Sequence, residues 1–184
     1  MQKEILQDKI KKSIVADTSA LMSLCAGEIL DKSLAISNII IPPEVRKELL
    51  EISAFDDPQG SYAKNILLII NQGKIALNQI RRNQRVEKIV EENSRIDIGE
   101  AAVIALAEEG KIDVVITDDF EAYPQMQKIF AGKVYLSTYL IAGLVVAGII
   151  SKDEARICFD KIARRRTWLN AKIYAQAKKY IDDL

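Results

Sequence analysis

A chain of 184 residues, 49% apolar and 28% charged, has the composition of one folded domain, or of a domain with an appended element, and not of a disordered segment. Its 26 basic and 26 acidic residues cancel, so a polyanionic partner would have to be met by local patches rather than by a global field. Histidine is absent, and the two cysteines, Cys25 and Cys158, lie far apart. This excludes imidazole triads and histidine metal ligands, and suggests neither a zinc cluster nor a disulfide framework.

Met1 to Lys12 is polar and lysine-rich, without the apolar centre of a signal peptide. Ile14-Val15-Ala16 then reads as a short β-strand, and Asp17, Thr18 and Ser19 each suit the N-cap of a helix running from Ala20 to Ala26. Gly27 interrupts that pattern. A second apolar run, Ile39 to Ile41, ends in Pro42-Pro43, where proline pre-sets the first turn of a helix to about Ile52. Val45, Leu49 and Ile52 follow the buried spacing of this helix, and Glu48 lies beside their stripe. Asp57-Pro58 opens the next helix, with Ile66, Leu67, Ile69 and Ile70 as its apolar face and Gly73 as a left-handed stop.

Lys74 to Ile80 alternates like a strand, whereas Arg81 to Asn93, with Arg81, Arg82, Arg85 and Lys88, reads as an exposed helix or a mobile connection. Gly99 to Glu109 is the most apolar helix, closed by Gly110, and must be packed on nearly all sides. Val114 to Ile116 is apolar on both faces and reads as a central parallel strand, Val134 to Ser137 as a further one, with a helix of about Glu121 to Ala131 between them. From Thr138 the pattern is helical: Thr138 to Ile150, Lys152 to Arg166 and Leu169 to Asp182. The apolar stretch Tyr139 to Ile150 is about half the ~20 residues that a membrane helix needs, so a cytoplasmic protein without membrane contact is expected. Alternating strands and helices predict an α/β fold: a central parallel sheet of four to five strands flanked by helices over residues 1–137, with a helical extension over 138–184 packed on it.

Asp17 stands at a strand end, and an open α/β sheet collects its ligands outside the carboxyl ends of its strands. Glu48, Glu100 beside Asp97, and Asp118-Asp119 after Thr117 are placed where they could join it. Singly each has an ordinary explanation: Asp17 and Asp119 as helix caps, Glu48 as a solvated helix residue, Glu100 as a first-turn partner of the helix dipole. If they converge they form a carboxylate-lined metal site, because carboxylates sharing a small volume repel and are seldom collected without a cation. Mg2+ or Mn2+ suits oxygen ligands and retains water, and two such ions stabilise the entering and leaving oxygens of a phosphodiester displacement with no histidine involved. The candidate metal ligands are Asp17, Glu100, Asp118 and Asp119, with Glu48 as a further catalytic acid. One of Asp118 and Asp119 is expected on the metal and the other as a cap or support. Thr18, Ser19, Asp97 and Thr117 are expected in supporting roles, since no histidine or lysine base adjoins the hydroxyls.

Four stretches carry a resemblance: Ile14-Val15-Ala16-Asp17-Thr18-Ser19-Ala20-Leu21, Pro43-Glu44-Val45-Arg46-Lys47-Glu48-Leu49, Gly99-Glu100-Ala101-Ala102-Val103-Ile104-Ala105-Leu106-Ala107 and Val114-Val115-Ile116-Thr117-Asp118-Asp119. In this order and spacing they resemble the PIN-domain ribonucleases, which include the VapC-like toxins of prokaryotic toxin–antitoxin pairs. The resemblance implies a PIN-like fold and metal-dependent cleavage of RNA. It also implies Glu48 as the second acid and Glu100, rather than Asp97, as the third. Gly143, Gly148-Ile149-Ile150 and Trp168-Leu169 are similar to a branch with a C-terminal helical extension. Phe120-Glu121-Ala122-Tyr123-Pro124, by contrast, departs from the basic or small residue that often follows the last aspartate.

The expectation is therefore an endoribonuclease acting through metal-activated water. Its partners are RNA and, as candidates, an antitoxin protein or a second copy. The rival is an inert RNA- or protein-binding module of the same fold. Arg164, Arg165 and Arg166 with Trp168 are candidates for phosphate contacts and one stacked base, against the alternative that the arginines complement a helix C-terminus and the tryptophan packs into a core or interface.

Overall fold

Strand β1 (Lys12–Ala16) runs through the middle of the fold, buried at Ile14, Val15 and Ala16. In the computed structural model, which describes residues 11–81, 83–168 and 172–183, it pairs in parallel with β2 (Ser37–Ile41) on one side and β4 (Val114–Ile116) on the other. β3 (Ala76–Leu77) and β5 (Lys133–Tyr135) complete a five-stranded, all-parallel sheet of order β3-β2-β1-β4-β5. The register sets Ile14 opposite Ile39 and Val15 opposite Val115, so the β-branched runs face one another across the centre. From β1 the chain builds outward to β3 and then crosses to β4, which makes the gap between the ends of β1 and β4 a topological switch point. The Asp17 N–H donates to Ile116 O at 3.1 Å and ties those two ends together.

Helix α1 (Thr18–Ala26) starts directly after β1 and is buried along nearly its whole length. Glu28, in the left-handed region at φ +58, turns the chain into α2 (Leu30–Ile36). No helix is expected there from the sequence, because seven residues are too few to display a helical period. Ser33 and Ser37 hold it by donating to the carbonyls of Ile29 (3.0 Å) and Ser33 (2.8 Å). Helices α3 (Pro43–Ser53) and α4 (Pro58–Asn71) begin at their prolines, the second capped by Asp57, and Gly73 takes the expected left-handed conformation at φ +73.

Helix α5 (Asn83–Glu92) is an ordered helix rather than a mobile connection. Val86 and Ile89 are enough to bury one face on α6 (Ile98–Gly110), and Arg85 pairs with Glu108 at 2.8 Å. Glu100 to Ala107 are buried without a break, as expected of the most apolar helix. Its left-handed cap is Lys111 at φ +52 and not Gly110, the last helical residue, whose added Cβ would meet the Ile112 side chain at 3.0 Å. Helix α7 (Tyr123–Ile129) starts later than expected because Asp119 to Ala122 form a turn.

The C-terminal helices α8 (Thr138–Val146), α9 (Lys152–Arg165) and α10 (Lys172–Asp182) pack on one another, α8 against α2 and α9 against α1. Arg82 and the expected helix start at Leu169 fall outside the described residues. Gly27 lets α9 approach: a Cβ there would lie 2.8 Å from Ile162 Cγ1. Phe159 and Ile162 of α9 are fully buried, each contributing about 1.5–3 kcal/mol of hydrophobic stabilisation. Among the described residues no helix is long and apolar enough to cross a membrane.

Candidate active site

Each acid of the site is placed by a local feature of its own element. Asp17 leaves β1 and caps α1, its Oδ1 accepting the Ala20 N–H at 2.8 Å. The Ser19 hydroxyl lies 2.8 and 2.9 Å from its two oxygens, and the Thr117 hydroxyl at the end of β4 donates to Oδ2. Burial pushes the Asp17 carboxyl up to about 7, against the lowering effect of Thr117, Ala20 and Ser19.

Glu48 projects from α3 and accepts the Thr18 hydroxyl at 2.6 Å. Asp97 and Glu100 form a capping box at the start of α6: the Glu100 N–H donates to Asp97 Oδ1 and the Asp97 N–H to Glu100 Oε2, both at 2.8 Å. Between them Gly99 faces Glu48 of α3: a Cβ there would sit 3.3 Å from Asp97 Oδ1 and, at ordinary contact distance, 3.8 Å from Glu48 Oε2. Glu100 is pushed up to about 8, chiefly by burial and further by the charges of Asp97, Asp119 and Asp17.

Asp119 caps the turn after β4, accepting the N–H groups of Glu121 and Ala122 at 2.8 Å each. Asp17, Glu48, Asp97, Glu100 and Asp119 line one cavity of about 50 Å³ with Thr18, Ser19, Val45 and Gly99, outside the carboxyl ends of the strands. Among the described residues the lining has no basic side chain. Larger surface clefts of about 550 and 580 Å³ lie around Arg81 and Arg85. The first is of mixed charge and the second is lined by Arg81, Arg85 and Lys88 without an acid, whereas convergent carboxylates single out the smaller cavity.

A family model described as a PIN domain matches residues 13–183. The chain belongs to the PIN-domain family. No curated protein and no solved structure matches it. PIN domains are generally nucleases and typically use divalent metal ions, and PIN nucleases bind RNA. The match extends through α8, α9 and α10.

In this PIN domain the donor chemistry of the cavity fits a hard divalent cation. Every polar side chain of the lining offers oxygen, the charge of Arg166 reaches Asp17 and Glu48 only from outside the lining, and burial raises two carboxyls to about 7 and about 8. The side chains are not preassembled, since no three acids or cysteines among the described residues form a group that could hold an ion as they stand.

The structure separates Asp118 from Asp119. Its Oδ1 accepts the Ser137 N–H at 2.9 Å, its Oδ2 is buried without a partner, and it does not line the cavity. Adjacent residues leaving a strand point to opposite sides, so Asp119 faces the acids while Asp118 turns inward toward Ser137, Ser23 and Arg166. Burial raises its carboxyl too.

In the basic tract the structure favours the alternative of a packed tryptophan. Trp168 is 4% exposed and packs on Phe120 (ring centroids 5.1 Å) and Phe159 (6.2 Å), so it offers no face to a base. Arg165 donates to Ala26 O and Glu28, and Arg166 donates to Gln59 Oε1 at 2.7 Å while its Nε is buried. Of the three arginines, Arg164 and Arg165 are exposed, and Arg165 is held by the turn after α1. Val45 and Gly99 also line the cavity wall, which the sequence does not announce. A glycine inside the first turn of a helix, beside two acids, is the signal that could have pointed to the second.

Proposed function

We propose that this PIN domain is a magnesium- or manganese-dependent endoribonuclease in which Asp17, Glu48, Glu100 and Asp119 hold the ion directly or through water. The observation that carries it is the meeting, at the switch point between β1 and β4, of acids from four separate elements with no described basic residue among them. A divalent ion bound there supplies Lewis acidity toward a phosphodiester and makes a bound water more acidic. The protein's own groups orient the acids: Ser19, Thr117 and the Ala20 N–H hold Asp17, Thr18 holds Glu48, and the Asp97 N–H holds Glu100. Asp17 and Glu100, raised to about 7 and about 8, are partly protonated near neutral pH, so cation uptake there would release protons.

The test is cleavage of single-stranded and structured RNAs by the purified chain in manganese, in magnesium and in chelator, beside Asp17→Asn and Asp119→Asn. Ion-dependent cleavage that both substitutions abolish is expected. Equal cleavage by the wild type and Asp17→Asn would sink the assignment.

One observation favours the rival reading, an inert binding module: the acids are not gathered into a metal-binding group. Calorimetry separates the two, since a module takes up no manganese. We extend the nuclease reading to a cytoplasmic toxin with an antitoxin protein and a second copy of itself as partners, on the strength of the sequence resemblance. Growth arrest on expression of the wild type, absent with Asp17→Asn, is the expected result.

A further inference from the structure

The end of β5 carries an aromatic pair that the acid cavity does not use. Tyr135, the last residue of β5, and Tyr139, in the first turn of α8, stack with ring centroids 4.3 Å apart and planes within 2° of parallel. Both keep part of their surface in solvent, although each also rests on the core. Along β5 only Val134 is buried, so Lys133 and Tyr135 share the opposite side of the strand, with Lys133 exposed. Tyr123, at the start of α7, closes the group: burial and the neighbouring Tyr135 raise its hydroxyl, which accepts a hydrogen bond from Gln127 at 2.8 Å.

This group adjoins the acids through the backbone. Tyr135 is in register with Ile116, and its carbonyl accepts the Thr117 N–H at 3.0 Å, while the Thr117 hydroxyl holds Asp17. The Tyr123 N–H donates to the carbonyl of Asp119 at 2.9 Å. β5 is two strands from β1, or about 10 Å at the usual strand spacing, a separation that a short stretch of single-stranded backbone covers. Partly exposed, parallel tyrosine rings, with a lysine on the same strand face, combine the two groups a single strand needs: aromatic area for a base and a cation for a phosphate. The arginine and tryptophan tract at the end of α9 lacks that combination, because its ring is buried.

We propose that Tyr135 and Tyr139, with Lys133, form a base-stacking site for single-stranded RNA flanking the acid cavity. The inference rests on the nuclease reading for its choice of ligand, but binding can be measured without cleavage. The probe is a fluorescein-labelled single-stranded RNA and an oligomer of the same length carrying abasic positions, both titrated in chelator and followed by anisotropy.

The wild type should bind the base-bearing oligomer about tenfold more tightly than the abasic one, the size expected for one stacked base. Tyr135→Ala and Tyr139→Ala should lose that discrimination, and Tyr135→Phe and Tyr139→Phe should retain it. If an alanine variant fails to fold by circular dichroism, Tyr135→Leu or Tyr139→Leu replaces it, keeping apolar bulk without a ring. Equal affinity of the wild type for both oligomers, or undiminished discrimination in the folded alanine or leucine variants, overturns the site. A wild type that discriminates bases but cleaves nothing in manganese removes the nuclease reading and leaves the platform. Cleavage with unchanged KM in the tyrosine variants does the reverse.

Discussion

Replacing Asp17 by asparagine should stabilise the metal-free protein at alkaline pH, although it removes a proposed metal ligand. The carboxyl rises from its ordinary 3.8 to about 7 because it is buried, which at 1.36 kcal/mol per pH unit is about 4 kcal/mol against holding it ionised in the fold. Below pH 3.8 the group is protonated in both folded and unfolded chains and costs nothing. As pH rises toward about 7 the folded state keeps a proton that the unfolded state has released, so stability falls across that window.

Asparagine cannot ionise, caps a helix about as well as aspartate, and keeps an oxygen for the Ala20 N–H and an amide for the Thr117 hydroxyl. Allowing for relaxation around a buried charge, about half the cost should be recovered at pH 8, some 2 kcal/mol, or roughly 4–8 °C in Tm for a chain of this size. At pH 5 the gain should shrink to under about 1 kcal/mol. Thermal melts in chelator at the two pH values test this, and manganese at pH 8 should then raise the Tm of the wild type alone. A variant no more stable than the wild type at pH 8, or a gap that ignores pH, would refute the reasoning.

Three further outcomes follow from the packing. Asp118→Ala strands the buried Ser137 N–H and should cost about 1–3 kcal/mol while leaving manganese uptake by calorimetry intact, whereas Asp119→Asn should abolish that uptake with little change in Tm. Gly60→Ala would bring a Cβ to 2.0 Å from Phe55 O, a backbone atom, so denaturant unfolding should show a loss of about 3 kcal/mol. Trp168→Ala should cost about 3–5 kcal/mol because the ring is packed between Phe120 and Phe159. Trp168→Phe should cost less and leave RNA affinity unchanged, and a selective loss of RNA binding in that variant would restore the tryptophan to a binding surface.

How far these features could be read in advance depended on how local their cause is. Strands β1, β2 and β4 are runs of β-branched residues that no surface element tolerates, and Asp57-Pro58 and Asp97 with Glu100 are start signals that act within one turn. Helix α2 escaped because its seven residues owe their shape to serine hydroxyls and packing on α8 rather than to a periodic stripe. For helix α5 the residues left a helix and a mobile connection open, since only Val86 and Ile89 needed burial to fix it. For Asp17 and Asp119 the competing explanations proved compatible: each caps a local structure with backbone hydrogen bonds and lines the acid cavity as well.

The sequence by itself determined which acids follow strands, which open helices and that no histidine could share their work, because caps and strand ends are set by near neighbours along the chain. Only the tertiary structure decided that Asp119 and not Asp118 faces Glu48 and Glu100, that Arg166 and Trp168 turn inward, and that two tyrosines meet beside the site. Those outcomes depend on the side of the sheet to which a residue leaves and on which distant element covers it, and such packing choices carry no signature in the residues alone.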